Sequence, residues 1–202
     1  DTVSPTYIDV IHAYCQSQEI EVNTVSPASS PIDSETSCLV IQYPNFFGYV
    51  EDLRRLVDSA HQHDALAVVS CDPIAVGLFQ PPGSYGADIV TGEGQPLGIP
   101  TSYGGPYIGL FSCLQQHIRQ MPSRLSGRTV DRNGNTGYVL TLQTREQHIR
   151  RERATSNICT NEALYALAAT IYLASLGKAG LRQVAELCYH KAHYAAARIT
   201  EI

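Results

Sequence analysis

ALAVVSCDP, Ala65 to Pro73, sets small and β-branched residues in unbroken succession and then stops at a carboxylate and a proline. Such a run reads as a strand buried on both faces, as in parallel sheets, and Pro73 ends it by withdrawing a backbone donor. Upstream, from about Tyr49 to Gln62, Leu53, Leu56, Val57 and Ala60 recur at helical spacing and form the inner face of a helix. Before that helix, Cys38 to Ile41 is another short apolar run, closed by Tyr43-Pro44, and downstream Ala87 to Val90 is a further one. Strands alternating with a helix predict an α/β fold, a mainly parallel sheet flanked by helices.

Beyond Ala87 to Val90 lies the most sharply shaped part of the chain. Gly86 to Tyr107, GADIVTGEGQPLGIPTSYGGPY, holds six glycines and three prolines and no lysine, arginine or histidine. Glycines admit positive φ and close backbone approach while prolines fix φ, so this loop is expected to present backbone rather than reactive side chains. Further out, Ser4-Pro5 opens a helix whose apolar positions are Ile8, Ile11 and Tyr14 to Cys15, Ile20 to Val25 alternates as a strand, and Tyr107 to Phe111 reads as another. Leu114 to Arg119 predicts a helical turn or two, Arg128 to Leu142, with Asn133-Gly134 between polar residues, a hairpin or an exposed flap, and Arg145 to Arg153 a charged helical stretch. Thr160 caps a long apolar helix that Gly177 stops, and a last helix begins near Leu181.

The composition bounds the function. A chain of 202 residues, 44% hydrophobic and 16% charged, can bury one substantial core. A net charge of -5 and no basic run longer than Arg150-Arg151 give no attraction to nucleic acid. Six cysteines without C-x-x-C spacing read as reduced thiols, with Cys38, Cys71, Cys113 and Cys188 expected to be buried, and suit a cytoplasmic compartment (the mitochondrial matrix in a eukaryote). The uncharged run between Glu162 and Lys178 is shorter than the roughly 20 residues of a membrane span and is read as a core helix. Because the chain starts at Asp1 and stops within a helical pattern, it is expected to be a piece of a longer protein.

Several short motifs do not carry chemistry. Gly92-x-Gly94-x-x-x-Gly98 misplaces the third glycine of a dinucleotide fingerprint and runs into prolines where a helix should start. His61-x-His63 lacks a nearby third ligand and reads as solvated, so no metal site is expected. Gly83-Ser84-Tyr85-Gly86 is one residue short of a nucleophile elbow. Asp72 is different. It leaves a buried strand at the edge where open α/β sheets bind ligands, and a carboxylate there can hold the protonated ring nitrogen of pyridoxal phosphate, although capping the Pro73 turn is the commoner use. Such chemistry also requires a lysine, and the chain has only Lys178 and Lys191, both in the carboxyl-terminal helices.

Four long strings carry a resemblance. QYPNFFG (Gln42 to Gly48), the loop Gly86 to Tyr107, RQMPSRLSG (Arg119 to Gly127) and LTLQTREQHIRRERATSNICTNEALYALAATIYL (Leu140 to Leu173) together resemble the P-protein family of the glycine cleavage system. Within it they are most similar to subunit 1, the amino-terminal half of glycine dehydrogenase (decarboxylating), and they cover nearly the whole chain in order. The resemblance implies the large domain of the aspartate aminotransferase type (fold type I) of pyridoxal phosphate enzymes, built as two homologous halves, fused or separate. The catalytic half carries a His-Lys pair shortly before a proline and glycine run. Matching that run to Pro100 through Pro106 places the pair among Gly94, Gln95 and Pro96, none of which forms an imine.

By that resemblance the chain has no catalytic residue of its own. Asp72 matches the strand-end aspartate of the catalytic half, and pyridoxal phosphate is bound by the partner half. The expected partners are the lysine-bearing half or subunit 2, the lipoyl H-protein and, for the complex, glycine, with no nucleic acid and no membrane. The complex removes the glycine carboxylate as carbon dioxide and passes the aminomethyl group to the lipoyl arm, and the isolated chain is expected to be inactive. Tyr43, Asn45, Gln95, Tyr103, Arg150, Arg151 and Asn157, at loop positions dense in glycine, aromatic and arginine residues, are expected to face the partner or its active site. Residues 1–202 are expected to form one partial large domain, cut at both ends, with 178–202 starting the helix toward a small carboxyl-terminal domain. Two other readings stay open at this point: a self-sufficient pyridoxal phosphate enzyme of the class V aminotransferase or desulfurase type, and a non-catalytic structural module.

Overall fold

The structure is a computed structural model that describes residues 1–29, 32–121, 125–142, 147–154 and 162–201. It divides into two compact units, residues 1–112 with 165–202, and residues 113–164.

The first unit is built on a four-stranded sheet in the order β1 (Cys38–Tyr43), β2 (Leu66–Cys71), β3 (Ile89–Glu93), β4 (Gly109–Cys113). β1 and β2 run parallel from Cys38 opposite Leu66 to Tyr43 opposite Cys71, and β2 and β3 run parallel with Val68 opposite Ile89. β4 turns back. Gly94 N–H donates to the Ile108 carbonyl at 2.7 Å and Gly92 lies against Leu110, so residue numbers rise on one strand as they fall on the other. The sheet is mixed and mostly parallel, as the apolar runs predict. The alternating stretch Ile20 to Val25 forms no strand, and it lies as an irregular segment tied to the amino terminus by Asp1 N donating to the Val25 carbonyl at 2.7 Å.

Helix α1 (Pro5–Gln16) precedes β1, and α2 (Leu53–His61) joins β1 to β2. Asp52 starts α2 by accepting the Arg55 N–H at 3.1 Å, and Leu53, Leu56, Val57 and Ala60 are all buried on its inner face, as their spacing requires. They pack on Ile41, Tyr43, Ala67 and Val69. These strand residues alternate with half-buried ones, so within this chain one face of the sheet carries the dense core and the other is thinly covered. Sequence alone predicts both faces buried. At the bottom of the core Asp88, only 4% exposed, accepts the Ala67 N–H at 2.8 Å and lies 2.8 Å from His61 Nε2, joining α2, β2 and β3 at one carboxylate.

Two further helices follow. α3 (Gln147–Arg150) belongs to the second unit, and α4 (Ala163–Thr200) is broken where Gly177 leaves helical geometry at φ 60 and ψ -175. The stop expected at Gly177 is therefore present as a break between two helical halves. α4 is long and apolar enough to cross a membrane by length and composition, with a mean hydropathy of 1.3 over its most apolar window. It is not a core helix within this chain: only Ala169 and Ala185 are fully buried, and Leu164, Leu167 and Ile171 are more than half exposed. Ala169 and Ala185 join Ile74 and Leu97 in a second small core, with Tyr172 and Leu181 packed around it.

The second unit contains a hairpin, β5 (Leu125–Val130) antiparallel to β6 (Thr136–Thr141), with Val130 opposite Thr136. Asp131 makes its turn, Oδ1 accepting the N–H groups of Asn133 and Asn135 at 2.8 Å each, while Gly134 takes φ 81. The hairpin matches the expectation from Asn133-Gly134. Of the charged stretch after it, residues 145–146 lie outside the described residues, and the rest forms α3 and then a single 3-10 turn, Arg151–Arg153, with Arg151 at φ 52.

Candidate functional site

The carboxyl ends of β1, β2 and β3 open into one cavity. It measures ≈ 180 Å³ and is lined by Gln42 near the end of β1 and Pro44 just beyond it, Asp72 and Pro73 after β2, Glu93 at the end of β3 and Pro96 beyond it, with Tyr7 reaching it from α1. An adjoining groove of ≈ 560 Å³ shares Gln42, Pro44, Asp72 and Pro96 and runs on to Phe46, Phe79 and the α4 residues Tyr189 and His193. This is the edge of an open α/β sheet at which ligands are bound.

Asp72 stands where its strand predicts. Its N–H donates to the Tyr43 carbonyl at 3.2 Å, and its Oδ1 accepts the Ile74 N–H at 2.8 Å, the local turn that a strand-end aspartate before proline makes. The residue is exposed, and among the described residues nothing bonds its Oδ2. The neighbouring Cys71 thiol is pushed up by burial and then by the Asp72 charge, which makes it a poor nucleophile at neutral pH.

Asn45 organises the turn after β1. Only 6% exposed, it accepts the N–H groups of Phe47 and Tyr49 at 3.0 Å each on Oδ1 and donates from Nδ2 to Glu51 Oε1 at 2.6 Å. Three bonds from one buried amide hold a tight loop with Gly48 at φ 83. The consequence is an aromatic knuckle: Phe46, Phe47 and Tyr49 stand 51%, 65% and 72% exposed, the first two ring edge to ring face. The Asn45 side chain is thus spent within the loop it holds and is not presented at the surface.

Tyr43 does not face outward. It is 2% exposed, with Phe79 and Tyr85 edge-on to its ring, and burial followed by the Tyr85 hydroxyl pushes its phenol up to about 12. Parity along β1 explains the correction: Tyr43 shares the inner face with Ile41.

The glycine-rich loop is folded on itself. Gln95 N–H donates to Glu93 Oε1 at 2.9 Å, Gln95 Nε2 to the Ile99 carbonyl at 2.6 Å, and Leu97 and Ile99 are buried. Much of its backbone is therefore bonded internally rather than offered to a ligand. A Cβ on Gly94 would sit 2.6 Å from Ile108 Cγ2 and 2.9 Å from the Ile108 carbonyl oxygen, so only glycine fits. Gly98, at φ +82, has the Tyr172 ring 2.7 Å from where a Cβ would be, which seats the loop on α4. At its far end Ser102, Tyr103, Gly104 and Gly105 all take positive φ, and Tyr103 is fully exposed. Two non-glycine residues in that region mark a strained, surface-presenting tip.

Of the other expected site residues, Arg150 and Arg151 are exposed in the second unit, and Asn157 lies outside the described residues. Lys178 and Lys191 are exposed on α4. Sequence reasoning missed Tyr7, Glu93, Tyr189 and His193. The last two meet with ring centroids 4.2 Å apart and planes tilted by 50°, a contact their i, i+4 spacing on a helix foretells. The thiols need a correction as well: Cys38 and Cys188 are exposed, not buried. His61 and His63 are engaged with Asp88 and the Ser59 carbonyl, and among the described residues no group of three or more potential metal ligands occurs.

Known proteins agree with this geometry. Residues 1–202 match the glycine cleavage system P-protein family throughout. The probable glycine dehydrogenase (decarboxylating) subunit 1 of Thermomicrobium roseum is 53% identical over all of this chain and 47% of its own length, and that of Geobacillus kaustophilus is 46% identical over 96% of this chain and 45% of its own. A crystal structure of glycine decarboxylase (P-protein) of the glycine cleavage system, in inhibitor-bound form, superposes with a TM-score of 0.94 at 42% identity, covering 100% of this chain and 47% of that one. The chain spans about half the length of the curated relatives it matches. With a match that runs from the first residue to the last, and a sheet, edge and loop that superpose on a solved member, the chain belongs to the glycine cleavage system P-protein family.

Proposed function

We propose that this chain is the part of a P-protein that carries the scaffold of a glycine-decarboxylating site without its reactive amine, and that it completes the site of a lysine-bearing partner, subunit 2 or a second half. The observation that carries this reading is the closure of the Gly94 position. The site at which the resemblance places a His-Lys pair is occupied by a glycine with no room for a Cβ, a glutamine tied to Ile99 and a proline.

Pyridoxal phosphate, the cofactor that the resemblance implies, does not fit this chain as a covalently held group. No lysine stands at the sheet edge, and the two that exist are exposed on α4. Cofactor and covalent chemistry therefore belong to the partner, while this chain contributes surfaces: the Phe46–Tyr49 knuckle, the strained tip at Tyr103, and Arg150 and Arg151. The fold expected for these halves is the large domain of fold type I, and the mostly parallel sheet with its ligand edge at Asp72 supports it. Glycine, and the lipoyl arm of an H-protein as acceptor of the aminomethyl group, are the substrates of the complex in this reading, and the cytoplasm is its compartment, or the mitochondrial matrix in a eukaryote.

Glycine–bicarbonate exchange tests it. Neither this chain nor the lysine-bearing subunit alone is expected to exchange label, and the mixture is expected to do so. Replacing Arg150 and Arg151 by alanine is expected to weaken exchange at least ~10-fold, the loss of about 1.4 kcal/mol of interaction. Unchanged exchange and unchanged assembly with the double variant would remove the arginines from the interface.

A further inference from the structure

Helix α1 lies along β1 in the opposite direction. Near the sheet's ligand edge the two are tied by Ser4 N–H donating to Gln42 Oε1 at 2.7 Å, and Phe46 N–H donates to the Thr2 carbonyl at 2.9 Å. From Ser4 to Cys15 a helix rises roughly 16 Å, and from Gln42 back to Cys38 a strand covers roughly 13 Å. The far end of α1 therefore falls beside the start of β1. There Cys15 and Cys38 line one apolar cleft of ≈ 180 Å³, together with Ile8, Ile11 and Leu39.

The two thiols sense each other. The Cys38 thiol is raised first by burial and then by the charge of Cys15, in keeping with their place in one cleft. Cys38 is exposed as a residue and Cys15 half-buried, so small reagents reach the pair. α1 itself buries no residue fully, so the helix is lightly held and a cross-link at its end would matter.

We propose that Cys15 and Cys38 form a dithiol that closes to a disulfide by exchange with a low-molecular-weight disulfide such as oxidised glutathione, pinning the far end of α1 to β1. One cysteine thiolate attacks a sulfur of the small disulfide, breaks its S–S bond and releases one small thiol. The second cysteine thiolate then attacks the protein sulfur of the mixed disulfide and releases the other. Two cysteine thiols are oxidised, one small disulfide is reduced to two thiols, and the two cysteine protons end on the departing sulfurs. Because Tyr7 on the same helix lines the cavity at Asp72, the state of the pair sets how firmly α1 sits at the candidate site.

The test is to incubate the purified chain with excess oxidised glutathione under native conditions, count free thiols, and map digested peptides by mass. The expected result is loss of two of the six thiols and a peptide pair joined through Cys15 and Cys38, reversed by dithiothreitol. Cys15→Ser is expected to retain glutathione on Cys38, because the resolving thiol is gone. Amide hydrogen exchange over residues 5–16 is expected to slow about 10-fold in the oxidised form. A persistent glutathione adduct on the unaltered chain, a bond to any other cysteine, or no loss of thiols overturns the dithiol. Equal exchange of α1 in both forms overturns the pinning.

Discussion

Asp88 shows how much one buried carboxylate can hold. Replacing it with alanine strands the Ala67 N–H in the core and frees His61, and hydrogen bonds to an ionised group contribute about 1.5–3 kcal/mol each. Asp88→Ala is expected to lower stability by about 2–4 kcal/mol in denaturant unfolding, and a change below about 0.5 kcal/mol would mean the three elements are not joined there. Tyr43 gives a pH dependence. Its phenol is raised in the folded chain to about 12 from the usual 10, chiefly by burial, so the folded form keeps its proton where the unfolded chain loses it. Its contribution is intact below pH 10 and is lost as pH rises through 10 to 12, by up to about 2–3 kcal/mol. Tyr43→Phe is expected to flatten the alkaline fall in the urea midpoint relative to the unaltered chain, and parallel curves would contradict the assignment. Asp72 and the glycines were legible as residues in the sequence. The inward turn of Tyr43 was not, because the proline after it hides on which face the strand ends.

Among the elements, the loop after β1 and the loop after β3 are made by different devices. The first depends on one amide. Asn45→Ala removes three side-chain bonds from a buried position and is expected to release the Phe46–Tyr49 knuckle, visible as faster hydrogen exchange at Phe47 and Tyr49 and as loss of binding to the lysine-bearing subunit. Retained binding would show that the knuckle is not the docking surface. The second depends on space. Gly98→Ala forces a Cβ into the Tyr172 ring at a left-handed φ, and a destabilisation of about 2 kcal/mol or more is expected in thermal unfolding. The element types followed from periodicity where one face is buried, as in α2, or where turn chemistry is explicit, as at Asn133-Gly134. Ile20 to Val25 alternates yet makes no strand, since a strand requires an edge to pair with and this segment is spent on the terminus and the cleft over α1. α4 reads as core from composition, but composition does not say whether the covering surface lies in the same chain.

At the scale of the whole molecule the chain is a P-protein scaffold with a shaped sheet edge, and in the proposed function its position for an anchoring lysine is closed at Gly94. That edge was legible in the sequence because ALAVVSCDP fixes both the strand and the residue leaving it. The groove toward Tyr189 and His193 was not, because it joins residues more than a hundred positions apart and depends on where α4 breaks at Gly177. The partition of labour between this chain and a lysine-bearing partner is tested most directly by locating the imine. The chain, the lysine-bearing subunit and their mixture are incubated with pyridoxal phosphate, reduced with borohydride, digested, and the labelled lysine is identified by mass. Stoichiometric label is expected on one lysine of the partner, alone or in the mixture, with only scattered, substoichiometric label at Lys178 and Lys191. One fully labelled lysine on this chain by itself would contradict it.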